Sequence, residues 1–346
     1  MSKRVQISPD NGSTWYTFPG DKADFQDQAS DIKDTIFGQD YESGQTGMLG
    51  WSLSCNGIYK GFAGYVAKIK KSGTATAFTT EAFTLVSGKT YKITDITKNV
   101  WNRAGTFAVF DNAVAVDMDD DIESIDYLNG RITFASAYTV GGPVTVTGSY
   151  FPMTQLAGAN SFTLTQNANA IDTTDYVIAQ GNGGYRTFIY GLKTVKLSVK
   201  GIFSAGAGFR ALLQARPELM IEINPDGSNM SVARGWFKPL STSQAGNVGE
   251  LEDSSIDFSL SVPDQEGVAM PYGWAFDAAT TLSRAVREAL ISWTTGTVVD
   301  VNYLHDGTNG YKGDAVVTDI SLSGGLDVMN DFSIKLQGSG ATAAHP

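Results

Sequence analysis

Cysteine and histidine are almost missing from this 346-residue chain, which has one Cys, Cys55, and two His, His305 and His345. A single cysteine excludes an intramolecular disulfide and fits a reducing site of synthesis. No zinc-ligand spacing can be built from this set. A Cys55–His305–Asp306 triad can be written down, but Cys55 falls in an alternating strand pattern and His305 in a turn. A free cysteine in that setting is ordinarily an inert small hydrophobe. No P-loop lysine motif occurs, so the sequence argues against an enzyme and offers no cofactor or metal site. Long apolar runs are missing too, and no membrane span is expected. The opening Met1-Ser-Lys-Arg-Val-Gln-Ile7 lacks the apolar core of a secretory signal.

Basic residues are outnumbered, with 25 Lys and Arg against 36 Asp and Glu and a net charge of −11. That balance argues against a surface that grips nucleic acid, since phosphate binding needs clustered Lys and Arg. It leaves open a wall along which a duplex slides, because an acidic surface repels it. Simple solubility is the plainer reading of the charge.

What is present is β-forming. The length accommodates two or three domains, and 38 Gly, 14 Tyr and 18 Phe with abundant Thr and Ser point to a turn-rich β protein. The stretch from Thr194 to Val262 organises the rest. Val195, Leu197 and Val199 alternate with Lys196 and Lys200, the pattern of a half-buried strand. Phe209, Leu212 and Leu213 then fall at helical spacing until Pro217 stops the helix. A hairpin over Met220–Asn224 and Arg234–Phe237 follows, turning at Pro225-Asp-Gly-Ser228, and Ser254–Val262 closes the module.

The module recurs. Ala29-Ser-Asp-Ile, a Gly-rich stretch at 38–47 and Trp51–Ile58 match Ala168-Asn-Ala-Ile, the Gly-rich 179–185 stretch and Val195–Ile202. Ala278–Ile291 is the best helix pattern, with Leu282, Ala285, Val286, Ala289 and Leu290 on one face and Asp277 as N-cap. Asn330-Asp-Phe-Ser-Ile334 echoes Ile256-Asp-Phe-Ser-Leu260. One module is therefore assembled from residues 1–75 with 263–346, and the other, near 153–262, is continuous and inserted into it. Residues 76–152 alternate in short runs broken by Asp111-Asn, Asn129-Gly and Gly141-Gly-Pro, and read as an inserted small β-sandwich or sheet. The expected fold class is mainly β, two α+β modules of sandwich or barrel type each with a short helix, plus the inserted β domain.

Strand, short helix, the Ile221-Glu-Ile-Asn-Pro-Asp-Gly227 hairpin, Arg234-Gly-Trp236 and the last strand, with the lead-in from Ala168, resemble the tail tube (major tail) protein of long-tailed bacteriophages. The resemblance implies a structural virion protein that polymerises as stacked rings into the hollow tail, through which DNA passes as cargo. Inner strands of successive modules would join around each ring, and two modules per chain imply a homotrimeric, pseudo-sixfold ring. Implied partners are further copies of the chain, the tape measure protein, the tail terminator and baseplate proteins, with no membrane. The implied location is the virion tail, after assembly in the host cytoplasm. The loops at 38–50 and 179–191 would reach the adjacent ring, with Gly38, Tyr41, Gly44, Gly47, Gly181, Gly183, Gly184 and Tyr185 as candidate contact residues. Ordinary surface loops are the other reading of these stretches. The insertion would decorate the outside, because a lumen wide enough for a duplex leaves little room.

Two motifs compete for attention. Gly206-Ala-Gly-Phe-Arg-Ala211 matches a dinucleotide-binding turn, with Glu222 or Asp226 at a tempting distance for a ribose. The helix after it is too short for a crossover, and the following strands read as antiparallel. Asp117-Met-Asp-Asp-Asp-Ile-Glu123 lacks the calcium-loop pattern and reads as a solvated acidic turn. Two other functional classes remain open. One is the tube of a contractile tail or a type VI secretion-like system. The other is a β adhesin or carbohydrate-binding protein, favoured if exposed aromatics such as Trp15, Trp101 and Trp274 cluster on one solvated face.

Overall fold

The computed structural model describes residues 3–34, 43–63, 68–156, 158–202, 209–225, 227, 231–245, 253–261, 272–276, 283–326 and 328–345. Along the chain, β1 (Arg4–Ser8), β2 (Tyr16–Thr17), β3 (Gly20–Lys33) and β4 (Gly44–Ala63) come first. β5 (Lys68–Ser72) leads into β6 (Thr76–Ser87), β7 (Thr90–Ile93), β8 (Ala108–Asp111), β9 (Val114–Ala115), β10 (Ile122–Asp126), β11 (Arg131–Phe134) and β12 (Val144–Tyr150). Then follow β13 (Met153–Gln155), β14 (Ala159–Asp172), α1 (Tyr176–Gly181), β15 (Phe188–Ile202) and α2 (Phe209–Ala215). A β-rich stretch comes next, with β16 (Leu219–Asn224), β17 (Ser231–Ala245), β18 (Asp253–Leu260) and β19 (Tyr272–Phe276). The last segment holds α3 (Arg284–Thr295), β20 (Val299–Leu304), β21 (Gly310–Gly325), β22 (Val328–Gly338) and β23 (Ala343–His345). The protein is mainly β, as its alternating patterns imply.

Two compact units result, one from Met1–Tyr65, Ser161–Leu197 and Thr281–Pro346, the other from Val66–Asn160 and Ser198–Thr280. These boundaries differ from the repeat boundaries read in the sequence. Residues 161–197 open the second copy of the repeat, yet they pack in the first unit because β14 pairs with β21 there. The insertion does not stand apart either; it shares the second unit with the strands after Ser198.

In the first unit, β3, β4, β22, β21 and β14 form consecutive antiparallel pairs. The N-terminal half of β21 turns to β20, which carries β1. α3 seals the apolar face with Ala285, Val286, Ala289, Leu290 and Trp293, all buried. The helix sits later than the 278–291 pattern suggested. It starts after Ser283, and Asp277 and Leu282 lie outside the described residues. Trp293 extends the same buried face by one turn, so the helix runs on until Gly296 adopts a left-handed φ of 77° and returns its N–H to Ser292. Lys193 Nζ then donates to the Thr294 carbonyl at 2.9 Å, a cation at a helix C-terminus.

In the second unit, β16, β17 and β18 are antiparallel neighbours and α2 packs against β17 and β18. The insertion is a seven-stranded sheet in the order β10-β11-β7-β6-β12-β8-β9. β6 serves both halves, pairing with β12 through its first part and with β7 through its last. The sheet closes around Phe78, Trp101, Ile132, Phe134 and Val146. A second apolar cluster joins it to the module strands, with Val100 and Leu128 against Met220 and Trp236.

Two arginines lock that seam. Arg103 lies 4.3 Å over the Trp236 ring and reaches Glu218 at 3.1 Å. Arg234 donates to Glu222 from Nε at 2.8 Å, and from Nη1 to the Leu128 carbonyl and Asn129 Oδ1, both at 3.1 Å. Glu222 also accepts from Lys70 Nζ at 2.8 Å. Burial works to raise the Glu222 carboxyl, and the charges of Arg234 and Lys70 more than offset it, so its pKa lies below the usual value. The residue that invited a ribose reading is thus held in a buried ion-pair network, and the hairpin behind it is antiparallel.

Breaking one partner of such a network strands a charge. Arg234→Leu is expected to cost about 3–5 kcal/mol, read as a lower urea midpoint. The double variant Glu222→Gln with Arg234→Leu recovers part of the loss, because the buried carboxylate is gone.

Candidate functional site: a polar sheet face and open strand edges

Strand alternation in the first unit separates two kinds of side chain. Residues directly opposite in antiparallel strands share a face, so the registers can be followed across the sheet. One ladder runs Lys22, Asn56, Ser333, Ser321, Thr165, and the next but one runs Asp24, Ser54, Lys335, Asp319, Asn167. Between them lies Ala23, Cys55, Ile334, Ile320, Gln166, which faces the core. The face away from the core is therefore a field of hydroxyls and amides with charges of both signs interleaved. Lys335 approaches Asp319 at 3.9 Å. Burial raises the Asp319 carboxyl above its usual value, and Lys335 opposes that shift. The acidic wall that the net charge allowed is not found in these ladders. The second unit repeats the chemistry, with Ser241 bonded to Asp257 and Ser243 to Ser255, both at 2.6 Å.

β3 is the least expected element. Asp21, Asp24, Asp27 and Asp31 fall on it, and most of its 14 residues are exposed. It stays on the sheet through Phe25, whose ring stacks on Trp51, Tyr303 and Tyr311 at 5.7, 5.4 and 5.1 Å between centroids. Trp51 is itself fixed by donating from Nε1 to the Gly340 carbonyl at 3.0 Å. Gly338 makes room for that ring, since a Cβ there would sit 2.1 Å from it.

Among the described residues β3 pairs only with β4, so its outer edge is open. β17 is similar. Its first half pairs with β16 up to Phe237, and its second half, Lys238–Ala245, pairs among the described residues with β18 on one side alone. The corresponding half of β21 is not open, because β14 occupies it from Ser161 to Asn167.

Of the candidate contact residues, Gly38 and Tyr41 lie outside the described residues. Gly44 and Gly47 belong to β4, and Gly181 ends α1, a helix capped by Asp175 accepting from the Ile178 amide at 2.7 Å. Gly183 and Gly184 take left-handed φ values of 63° and 87°. Much of both stretches is thus strand or helix. The structure brings them together: Leu49 and Tyr185 form a parallel bridge, with the Leu49 amide donating to Gly184 and the Arg186 amide to Leu49, each at 2.9 Å. Gln28, Ser30, Met48, Trp51, Arg186 and Phe188 line a cavity of about 260 Å³ beside the bridge. α1 itself exposes Tyr176 and Val177 by 91% and 78%.

The remaining motifs resolve into structure. Cys55 is buried, and desolvation, aided by Asp21, pushes its thiol up to about 12. Asp306 spends its carboxylate on the amides of Thr308 and Asn309. Asp117 accepts from the backbone of Asp119 and Asp120 within its own turn. Trp101 is fully buried, Trp274 stacks on Phe276 at 5.5 Å, and Trp15 lies under Lys312. An aromatic platform that includes Trp101 is excluded.

No family model matches the chain, and no curated protein does. Similar solved structures include two from gene transfer agent particles. One is the tail of an empty gene transfer agent particle, computed with helical refinement in C6 symmetry, at 18% identity over 37% of this chain and 87% of that one, with a TM-score of 0.29. The other is the virion of a native gene transfer agent particle, at 18% identity over 36% and 89%, with a TM-score of 0.28.

The face assignment has a direct check. Ile320→Ala is expected to cost about 2–5 kcal/mol, while Ser321→Ala next to it stays within about 0.5 kcal/mol, both read by urea titration of the monomer.

A second check uses pH. Asp300 and Asp314 are opposite each other on β20 and β21, and burial, then the hydrogen bond and charge of Asp300, raise Asp314 to about 6. The fold therefore holds this proton more tightly than the unfolded chain does. The resulting stability is present below the unfolded value of 3.8 and is lost as pH rises through 6. Asp314→Asn is expected to stabilise by about 1 kcal/mol at pH 8, after allowance for solvent screening, and by almost nothing at pH 3.5. Melting curves at the two pH values decide it.

Proposed function

We propose that this protein is a structural subunit of a phage-type tail tube, assembling as three-chain rings that stack into a hollow filament around passing DNA. The observation that carries the reading is the seating of β14 on β21 while, among the described residues, the outer edges of β3 and of the second half of β17 stand open. A chain that has already joined one module's strand to the other module's sheet, and offers the same two edges outward, is built to repeat the joint. A ring closed through these two edges leaves neither of them open. Two modules per chain make three chains the economical closure. Ring upon ring is a head-to-tail contact that continues as a filament.

In this arrangement the polar ladder face lines the lumen. Hydroxyls and amides interleaved with paired charges give a duplex no cluster of cations to hold its phosphates. The bridged stretches at Leu49 and Tyr185, with the exposed α1, contact the next ring. The insertion, clamped by Arg103 and Arg234, sits on the outside as a rigid appendage. The tape measure, terminator and baseplate proteins meet the tube in the virion, after assembly in the host cytoplasm. No catalytic step belongs to this role.

Negative-stain microscopy of the concentrated protein tests the reading. Hollow filaments of stacked rings, three chains to a ring by mass per length, are expected. A closed oligomer without a central hole sinks it and favours the adhesin class.

A further inference from the structure

The duplication supplies a template for the joint between chains, down to its register. In the first unit, β14 meets β21 with Thr165 opposite Ser321 and Thr163 opposite Ser323. The repeat aligns Ala29-Ser-Asp-Ile with Ala168-Asn-Ala-Ile, which makes Gln26 the counterpart of Thr165 and Asp24 that of Thr163. Faces agree, since Asp24 and Gln26 flank half-buried Phe25 as Thr163 and Thr165 flank buried Leu164. Both strands are 14 residues long.

The receiving edge aligns through the closing strands. Asp331-Phe-Ser-Ile334 corresponds to Asp257-Phe-Ser-Leu260. Ser321 faces Ser333 and Ser323 faces Asp331, while Lys238 faces Ser259 and Ser241 faces Asp257. Lys238 is therefore the counterpart of Ser321, and Ser241 that of Ser323. The irregularity between Pro239 and Ser241 adds one residue to β17 at Leu240.

We infer that β3 of one copy pairs antiparallel with the second half of β17 of another copy, with Gln26 opposite Lys238 and Asp24 opposite Ser241. The occupant of this edge is a second copy of the chain, because the equivalent edge is already filled by the equivalent strand. Charge supports the match: the aspartates of β3 approach an edge whose one charged residue is Lys238. Leu240, 60% exposed at the bulge, is covered on pairing. Pro239 on this edge restricts casual strand addition, since it lacks an N–H to donate. The inference rests on the tube reading for its ring.

Paired cysteines test the register. Gln26→Cys with Lys238→Cys is compared with Gln26→Cys with Thr242→Cys, whose second site points to the opposite face. Filaments are confirmed by microscopy, then oxidised with glutathione disulfide; buried Cys55 stays out of the exchange. Covalent dimers and trimers on a denaturing gel from the first pair alone are the expected result. Filaments with no cross-link, or with cross-links from the shifted pair, overturn the register and leave the tube reading intact. If the unmodified chain forms no filament and neither pair cross-links, both fall. A second pair of variants avoids thiols: Lys238→Glu raises the critical assembly concentration about fivefold, and Gln26→Lys in the same chain restores it. Absence of that rescue overturns the pairing as well.

Discussion

A strand edge with free N–H and C=O groups is the constraint on which this structure turns. Such an edge must be covered, blunted or used, because it will otherwise pair with whatever arrives. In the first unit β14 covers one edge of β21, and Tyr190 and Lys193 on the following strand β15 reinforce the seat by bonding Ser292, Val317 and Thr294. Two of the edges left open among the described residues, that of β3 and that of the second half of β17, are treated differently. β3 is blunted by aspartates and β17 by Pro239 and a bulge. Charge and proline discourage random pairing, and they leave a joint that one matching surface can still make.

Rigidity elsewhere serves that joint. Phe25 holds a strand of poor intrinsic β propensity against Trp51, Tyr303 and Tyr311, so the open edge is presented in one conformation. In the second unit, the Arg234–Glu222–Lys70 network and Arg103 over Trp236 fasten the insertion to β16 and β17. A flexible tether would let the inserted sheet swing across the neighbouring edge. Buried charge is used here for position rather than for net stability.

Much of this was legible in the sequence. The strands at Val195, Met220 and Ile256, the short helix at Phe209 and the antiparallel hairpin follow from alternation, helical spacing and Pro217. The repeat between Asp257-Phe-Ser and Asp331-Phe-Ser located both closing strands. β3 was not legible, because an edge strand whose inner face is half-buried only at Ala23, Phe25 and Ser30 carries too short a hydrophobic period; its signal was the match of Ala29 to Ala168. Helix α3 was displaced by several residues, since its buried face ends at Trp293 rather than Leu290. Which side chains face together needed the registers: Lys22 and Thr165 are far apart in sequence and lie on one ladder.

The central claim is that the chain repeats its internal strand joint between copies. A cryo-electron microscopy reconstruction of the assembled filament tests it most directly. The account predicts three chains per ring, β3 of each paired with β17 of the next, and the Lys22–Thr165 and Asp24–Asn167 ladders facing the lumen. A ring closed through other surfaces, with the β3 edge still open or the ladders facing outward, would contradict it.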